Sequence, residues 1–339
     1  MKKWLCMLLA AVMLLSLTAC AGTQGSTPES QTAPESSAVE PEAPHYPVTI
    51  SNYNYAKEPV DITFESCPEK VLVLNQNNIE TMLSLGLGDK IVAAAGLDHA
   101  VKEAYKADFE KINYLTDFTV SRESVLMLEP DMILGWWSTF GEKRLDGTDF
   151  WNERGVKTYM AENSNSIVEN RTLENEYDYI LDLGKIFDVE DKAQAIVDEI
   201  KDQVAQIVDQ SKNLEKRTAL IVEFLGDSIY TYDKTTLGGD MAITVGADLL
   251  STPEKTIGLE DLINLDPQVI FVVYMDGDEE GMAEKSVANV TGNEALASLT
   301  AVKNGDVYAI PLGDMYTSAM RTTDGLEIFA AGLYPDLAK

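Results

Sequence analysis

Two 17-residue segments of this chain repeat one pattern at a constant offset of 137 positions. Residues 121–137 read SRESVLMLEPDMILGWW and residues 258–274 read GLEDLINLDPQVIFVVY. Glu123 falls on Glu260, Leu128 on Leu265, Glu129 on Asp266 and Pro130 on Pro267. Each copy predicts a short helix that opens on an acid, where a carboxylate complements the helix dipole, and stops against a proline that cannot continue it. An apolar strand follows in both. Identical spacing in the two halves predicts a pair of similar lobes.

The stretch between the copies predicts how the lobes are joined. From about residue 173 to 212 the apolar spacing is helical, with a break at Phe187-Asp188. Ala193, Ile196, Val197, Ile200, Val204 and Ile207 form one stripe, so the second of these helices is long and amphipathic. A bridging helix is expected over 189–213, between an N-terminal lobe at 47–188 and a C-terminal lobe at 214–339. A hairpin is expected from 48–50 and 60–64. Thereafter strands at 71–74, 91–95, 132–135 and 156–159 alternate with helices, and strands at 218–224, 269–274 and 307–311 follow the bridge, with a loop at 227–240 and a final helix at 323–333. Such alternation implies α/β architecture: two Rossmann-like lobes, each a parallel sheet covered on both faces, joined by one long helix.

The N-terminus fixes where the chain works. Lys2-Lys3, an apolar run over 4–17 and Leu17-Thr18-Ala19-Cys20 are the parts of a signal peptide in order, so residues 1–19 are a targeting segment. Small residues before Cys20 and Ala21-Gly22 after it resemble the bacterial lipobox, which implies lipid attachment at Cys20 and a place at the outer face of the cytoplasmic membrane. Residues 20–46 are rich in Ser, Thr, Pro, Glu and Gln, and bury too little to offset their ordering entropy. They read as a tether spanning roughly 25–30 Å as a flexible coil.

A net charge of −30 argues against nucleic acid and against electrostatic membrane binding. The chain has two histidines, His45 and His99, so direct capture of a bare transition metal, or a Ser-His-Asp or Cys-His centre, lacks its usual side chains. Cys67 is left without a disulfide partner, and neither a G-x-G-x-x-G nor a P-loop is present. A binding protein rather than an enzyme is expected, with no resident cofactor or metal; an extracytoplasmic hydrolase is the remote alternative.

Beyond the repeat, the chain carries CPEKVLVLNQNNIETMLSLGLGDKIV after the hairpin, and near its end LTAVKNGDVYAIP followed by MRTTDGLEIFAAGLYP. In this order, from about residue 48 to 335, these segments resemble the solute-binding lipoproteins of ABC importers that handle ferric siderophores, haem and vitamin B12. The resemblance implies a monomer that captures a metal chelate between its lobes and delivers it to a permease dimer with its ATPase. It also implies that Glu123 and Glu260 meet arginine pockets on the permease; an acid that merely complements the helix dipole is the plainer role. A tethered sensor or scavenger without a permease is the alternative function.

Ligands of open α/β sheets sit outside the carboxyl ends of the strands. The loops there, 75–78, 136–140, 230–234, 274–276 and 313–321, supply the candidate ligand residues Asn75, Asn77, Trp136, Trp137, Tyr232, Lys234, Tyr274, Tyr316 and Arg321. Trp136 stands where the resembling vitamin B12 binder carries a cleft tryptophan, and flat aromatic surface suits a bulky, partly planar chelate. Arg321 matches the arginine of the family's Pro-Arg segment, although Met320 replaces the proline; it would grip an anionic ligand group, with Lys234 opposite, or pin its own loop. These loops hold few basic residues, which disfavours a strongly anionic chelate relative to a hydroxamate, mixed or corrinoid one.

Overall fold

The computed structural model describes residues 44–117, 119–164, 168–275 and 280–338. The signal segment, Cys20 and most of the tether lie outside these residues.

The first lobe opens with β1 (Val48–Tyr53) and β2 (Pro59–Phe64), an antiparallel hairpin. Then come β3 (Val71–Leu74), α1 (Gln76–Ser84), β4 (Ile91–Ala95), α2 (Glu103–Phe109), α3 (Arg122–Leu128), β5 (Met132–Gly135), α4 (Thr148–Asn152) and β6 (Lys157–Met160). The strands pair in parallel in the order β4-β3-β5-β6. β3 and β5 are buried at every position, as in a parallel sheet covered on both faces.

α5 (Leu173–Ile186) and α6 (Glu190–Ser211) cross to the second lobe. It consists of β7 (Thr218–Leu225), β8 (Ser228–Thr231), α7 (Leu237–Thr244), β9 (Asp248–Leu249), β10 (Thr256–Ile257), α8 (Leu259–Leu265), β11 (Val269–Tyr274), α9 (Met282–Thr291), α10 (Thr300–Asn304), β12 (Val307–Pro311) and α11 (Thr322–Leu333). The order is β10-β8-β7-β11-β12, with β9 also beside β7. The β7, β11 and β12 ladders are parallel; β8 and β10 are antiparallel.

Both copies of the repeat build the same corner. α3 and α8 end on acids in the left-handed region, Glu129 at φ 49 and Asp266 at φ 40. The residue after each proline then clamps the start of a neighbouring strand. Asp131 accepts the Glu69 and Lys70 N–H groups at 2.7 and 3.0 Å, and Gln268 accepts the Thr218 N–H at 2.9 Å. α6 buries Ala193, Val197 and Ile200. It packs tightly on Gly184 of α5, where an added Cβ would lie 2.5 Å from the Ala193 Cβ. The break between the helices falls at Asp188, with φ 56.

Two local expectations change. The polar loop expected at 75–78 is the first turn of α1, entered through Asn75 at φ 77, so Gln76, Asn77 and Asn78 are buried. The loop expected at 227–240 holds β8 and the start of α7, because Gly226-Asp227 forms a two-residue hairpin turn between Leu225 and Ser228. No described helix is long and apolar enough to cross a membrane.

Candidate ligand-binding site

In each sheet the strand order reverses at one point, between β3 and β5 in the first lobe and between β7 and β11 in the second. Ligands of open sheets bind at such switch points. Residues that follow these strands line a cleft between the lobes, consisting of an outer chamber of about 590 Å³ and an inner recess of about 200 Å³. Trp136, Ser138 and Leu312 belong to both.

Trp136 is held from behind by a relay of amides. Its indole Nε1–H donates to Asn77 Oδ1 at 2.7 Å, Asn77 Nδ2 donates to Asn78 Oδ1 at 3.1 Å, and Tyr179 OH donates to the same oxygen at 2.7 Å. Asn75 Oδ1 accepts the Trp136 backbone N–H at 3.1 Å. Asn77 is therefore buried behind the tryptophan and orients it rather than facing a ligand, whereas Asn75 lines the recess. Across the cleft the Tyr316 ring lies 5.2 Å from the Trp136 ring at 58°, and Tyr316 OH donates to the Ser164 carbonyl of the first lobe. Burial, opposed by the nearby Arg171 charge, pushes the Tyr316 phenol up to about 12.

The second lobe's wall comes from the β7–β8 hairpin. Tyr230 and Tyr232 meet edge-on at 5.0 Å, and Tyr232 OH donates to Glu223 Oε2 at 2.6 Å. Two cations line the same chamber, Arg171 and Lys255. Arg171 is 5% exposed, and its Nε donates to the Thr235 carbonyl at 3.2 Å. The loops singled out in the sequence contain neither residue, so the structure adds two cations to the few that those loops offer. The available signal was Arg171-Thr172 at the start of α5, a cation just ahead of a helix cap.

Four other candidates stand elsewhere. Trp137 turns away from the cleft, stacking on Tyr55 at 4.9 Å and donating its Nε1–H to the Tyr55 carbonyl at 2.9 Å, which ties the β1–β2 hairpin to the lobe. Lys234 is exposed and lines neither cavity. Tyr274 stands edge-on to His99, 5.6 Å away, while its neighbour Met275 lines the recess.

Arg321 is drawn into a buried ion pair and is not available as a ligand fork. Its Nε and Nη2 donate to the two oxygens of Glu80, each at 2.7 Å, and Nη2 also donates to the Ala100 carbonyl at 2.8 Å. Asp314 Oδ1 lies 3.4 Å from Nη1, and burial, opposed by Arg321, pushes the Asp314 carboxyl up to about 6. Beside this pair Glu176 accepts the Ala319 N–H at 2.5 Å and Asn163 Nδ2 at 2.6 Å; burial, opposed by these two bonds, pushes its carboxyl up to about 7. α1, α5 and the turn before α11 are thus cross-tied along the base of the cleft.

The sequence matches the periplasmic binding protein family over residues 71–312. The chain belongs to that family. It is 26% identical to the ABC transporter substrate-binding lipoprotein YvrC of Bacillus subtilis (strain 168), with 100% of each chain covered. To the petrobactin-binding protein YclQ of the same organism it is 23% identical, covering 94% of each. A solved structure of a periplasmic binding protein from Veillonella parvula DSM 2008 is 34% identical and superposes with a TM-score of 0.76, covering 86% of this chain and 93% of that one.

In this periplasmic binding protein Glu123 and Glu260 occupy the first turns of α3 and α8, and both are exposed. Apolar side chains stand exposed on the same helices, Leu126 and Met127 on α3 and Leu259 on α8. Among the described residues the one group of three side chains with metal-ligand chemistry is His45, Asp188 and Glu190, none of which lines the cleft.

Proposed function

We propose that this chain is the extracytoplasmic substrate-binding lipoprotein of an ABC importer and that its cargo is an iron chelate, a ferric siderophore before haem or cobalamin. The metal arrives inside the cargo, and the protein needs no resident cofactor. The observation that carries this is the cleft: Trp136 and Tyr316 offer aromatic faces from opposite lobes, and Arg171 and Lys255 line the chamber beside them. Such a site suits a large, partly planar ligand with anionic groups at its rim. A chamber of about 590 Å³ also falls within the usual range of small-molecule sites. The petrobactin-binding relative supports the ligand class.

Delivery follows from the anchor and the two glutamates. The lipobox and the lipoprotein name of YvrC support attachment at Cys20, on the outer face of the cytoplasmic membrane. A short tether keeps the domain at high effective concentration near a permease, so docking of the monomer through Glu123 and Glu260 can be weak and still productive. Exposed Leu126, Met127 and Leu259 add apolar contact around each carboxylate.

The test is titration of the purified protein with a ferric hydroxamate, a ferric catecholate, haem and cobalamin, read by tryptophan fluorescence and calorimetry. At least one chelate binds at micromolar concentration or below, and Trp136→Ala weakens it by tenfold or more, on the order of one buried aromatic contact. Calorimetric silence with all four removes the chelate reading.

A further inference from the structure

The inner recess has mostly apolar walls, among them Leu74, Val120, Leu145 and Met275. Asp98 stands in that wall. It is 1% exposed, and neither carboxylate oxygen has a hydrogen-bond partner among the described residues. The Asp98 backbone is fixed, its N–H donating to Gln76 Oε1 at 3.1 Å. Other acceptors in the recess are in use: Asn75 Oδ1 and Thr139 Oγ1 both take the Trp136 N–H, each at 3.1 Å.

The charged and titratable groups near Asp98 leave this carboxylate uncompensated. Arg321 draws its pKa down through space, but the guanidinium is bound to Glu80. Arg144 is exposed where it lines the recess, and His99, next in the chain, sets its ring against Tyr274. Burial, opposed by Arg321, holds the Asp98 carboxyl up at about 7. A buried carboxylate without donors is costly, and interiors rarely keep one unless something meets it.

Resting on the chelate-binding reading above, we propose that the recess takes a protonated amine carried by the ligand and that Asp98 is its acceptor. The recess, at about 200 Å³, suits an arm, and the chamber of about 590 Å³ suits the chelate body. Arg171, Lys255 and Glu223 line the chamber, and the recess holds the buried Asp98 together with an exposed Arg144. The buried carboxylate suits a cationic pendant chain, and the two cations of the chamber suit an anionic rim. An ammonium reaching Asp98 supplies the missing donors and the compensating charge together.

Two measurements test this. The first follows the Asp98 carboxyl by carbon-13 NMR while pH is varied in potassium chloride and in butylammonium chloride at equal ionic strength, with Asp98→Asn to assign the resonance. The amine salt lowers its apparent pKa; identical titrations in the two salts would overturn the proposal and leave water as the occupant. The second compares a linear ferric trihydroxamate ending in a primary amine with the same chelate acetylated at that amine. Wild-type protein favours the free amine by about tenfold to a hundredfold, the range of a charge-assisted bond, and Asp98→Asn loses that preference while binding the acetylated form unchanged. Equal wild-type affinity for both counts against Asp98. If no chelate of any class binds, the chelate reading fails by itself, while the butylammonium titration still decides what the recess accepts.

Discussion

Replacing Glu80 tests whether the base of the cleft is held by a buried charge pair. Glu80 is fully buried and serves four donors: Arg321 Nε and Nη2 at 2.7 Å each, and Gln76 Nε2 and the Lys102 N–H at 2.9 Å each. Glu80→Ala removes all four acceptor contacts and leaves the guanidinium with Asp314 at 3.4 Å and the Ala100 carbonyl at 2.8 Å. Breaking a buried pair from one side costs about 3–5 kcal/mol, because the remaining charge stays desolvated. At ~2–4 °C per kcal/mol for a domain of this size, Tm falls by roughly 6–20 °C. Glu80→Leu combined with Arg321→Met regains most of that loss, since an apolar pair of similar volume avoids the desolvation penalty. The assay is urea and thermal unfolding of wild type, both single variants and the double variant. A Glu80→Ala cost under about 1 kcal/mol, the level of an exposed ion pair, would refute the reasoning, as would a double variant no better than the two singles added. The double variant also decides what Arg321 does: it binds ligand as wild type does if the arginine is structural.

Other outcomes follow from the same geometry. Glu123→Arg with Glu260→Arg leaves chelate affinity intact and abolishes uptake by whole cells; uptake that survives would refute docking through these two carboxylates. Arg171→Gln and Lys255→Gln each weaken binding of an anionic chelate several-fold and reduce its salt dependence, as titrations at two ionic strengths will show. Asn77→Ala, which leaves the Trp136 indole without its acceptor, lowers affinity through a loosened ring, visible as broader tryptophan emission and a smaller quench. Stability rises as pH falls from 8 to 5, because Glu176 has a folded pKa near 7, above its unfolded value, so its contribution is full below the unfolded pKa and lost as pH rises through 7. Glu176→Gln flattens that dependence by up to on the order of 3 kcal/mol, measured by urea unfolding across the range.

Much of the fold was legible because its signals are local. A helix that opens on an acid, stops at Pro130 or Pro267 and yields an apolar strand is set by nearest neighbours, and so is the stripe of α6. β8 was legible too: Gly226-Asp227 between alternating residues is a hairpin signal that the tyrosine-rich loop concealed. Trp136 and Trp137 could not both face the cleft, because successive residues leaving a strand project to opposite sides, one toward the ligand and one onto Tyr55.

The site's chemistry was not legible in the same way, because it depends on partners far apart in the chain. Arg321 reads equally well as a ligand fork or a structural pin until Glu80, 241 residues away, is seen to close on it. Arg171 and Lys255 look like ordinary charges in a strongly acidic chain until the bridge between the lobes brings both to one chamber. Asp98 is one of 56 acids, marked out only by a buried carboxylate that meets no hydrogen-bond donor among the described residues. The sequence alone determined the α/β class and its repeated lobes and predicted an export signal and tether, since targeting, capping and periodicity act over a few residues. The tertiary structure decided which charges are paired and which are left for a ligand, since pairing and desolvation depend on distances that only packing sets.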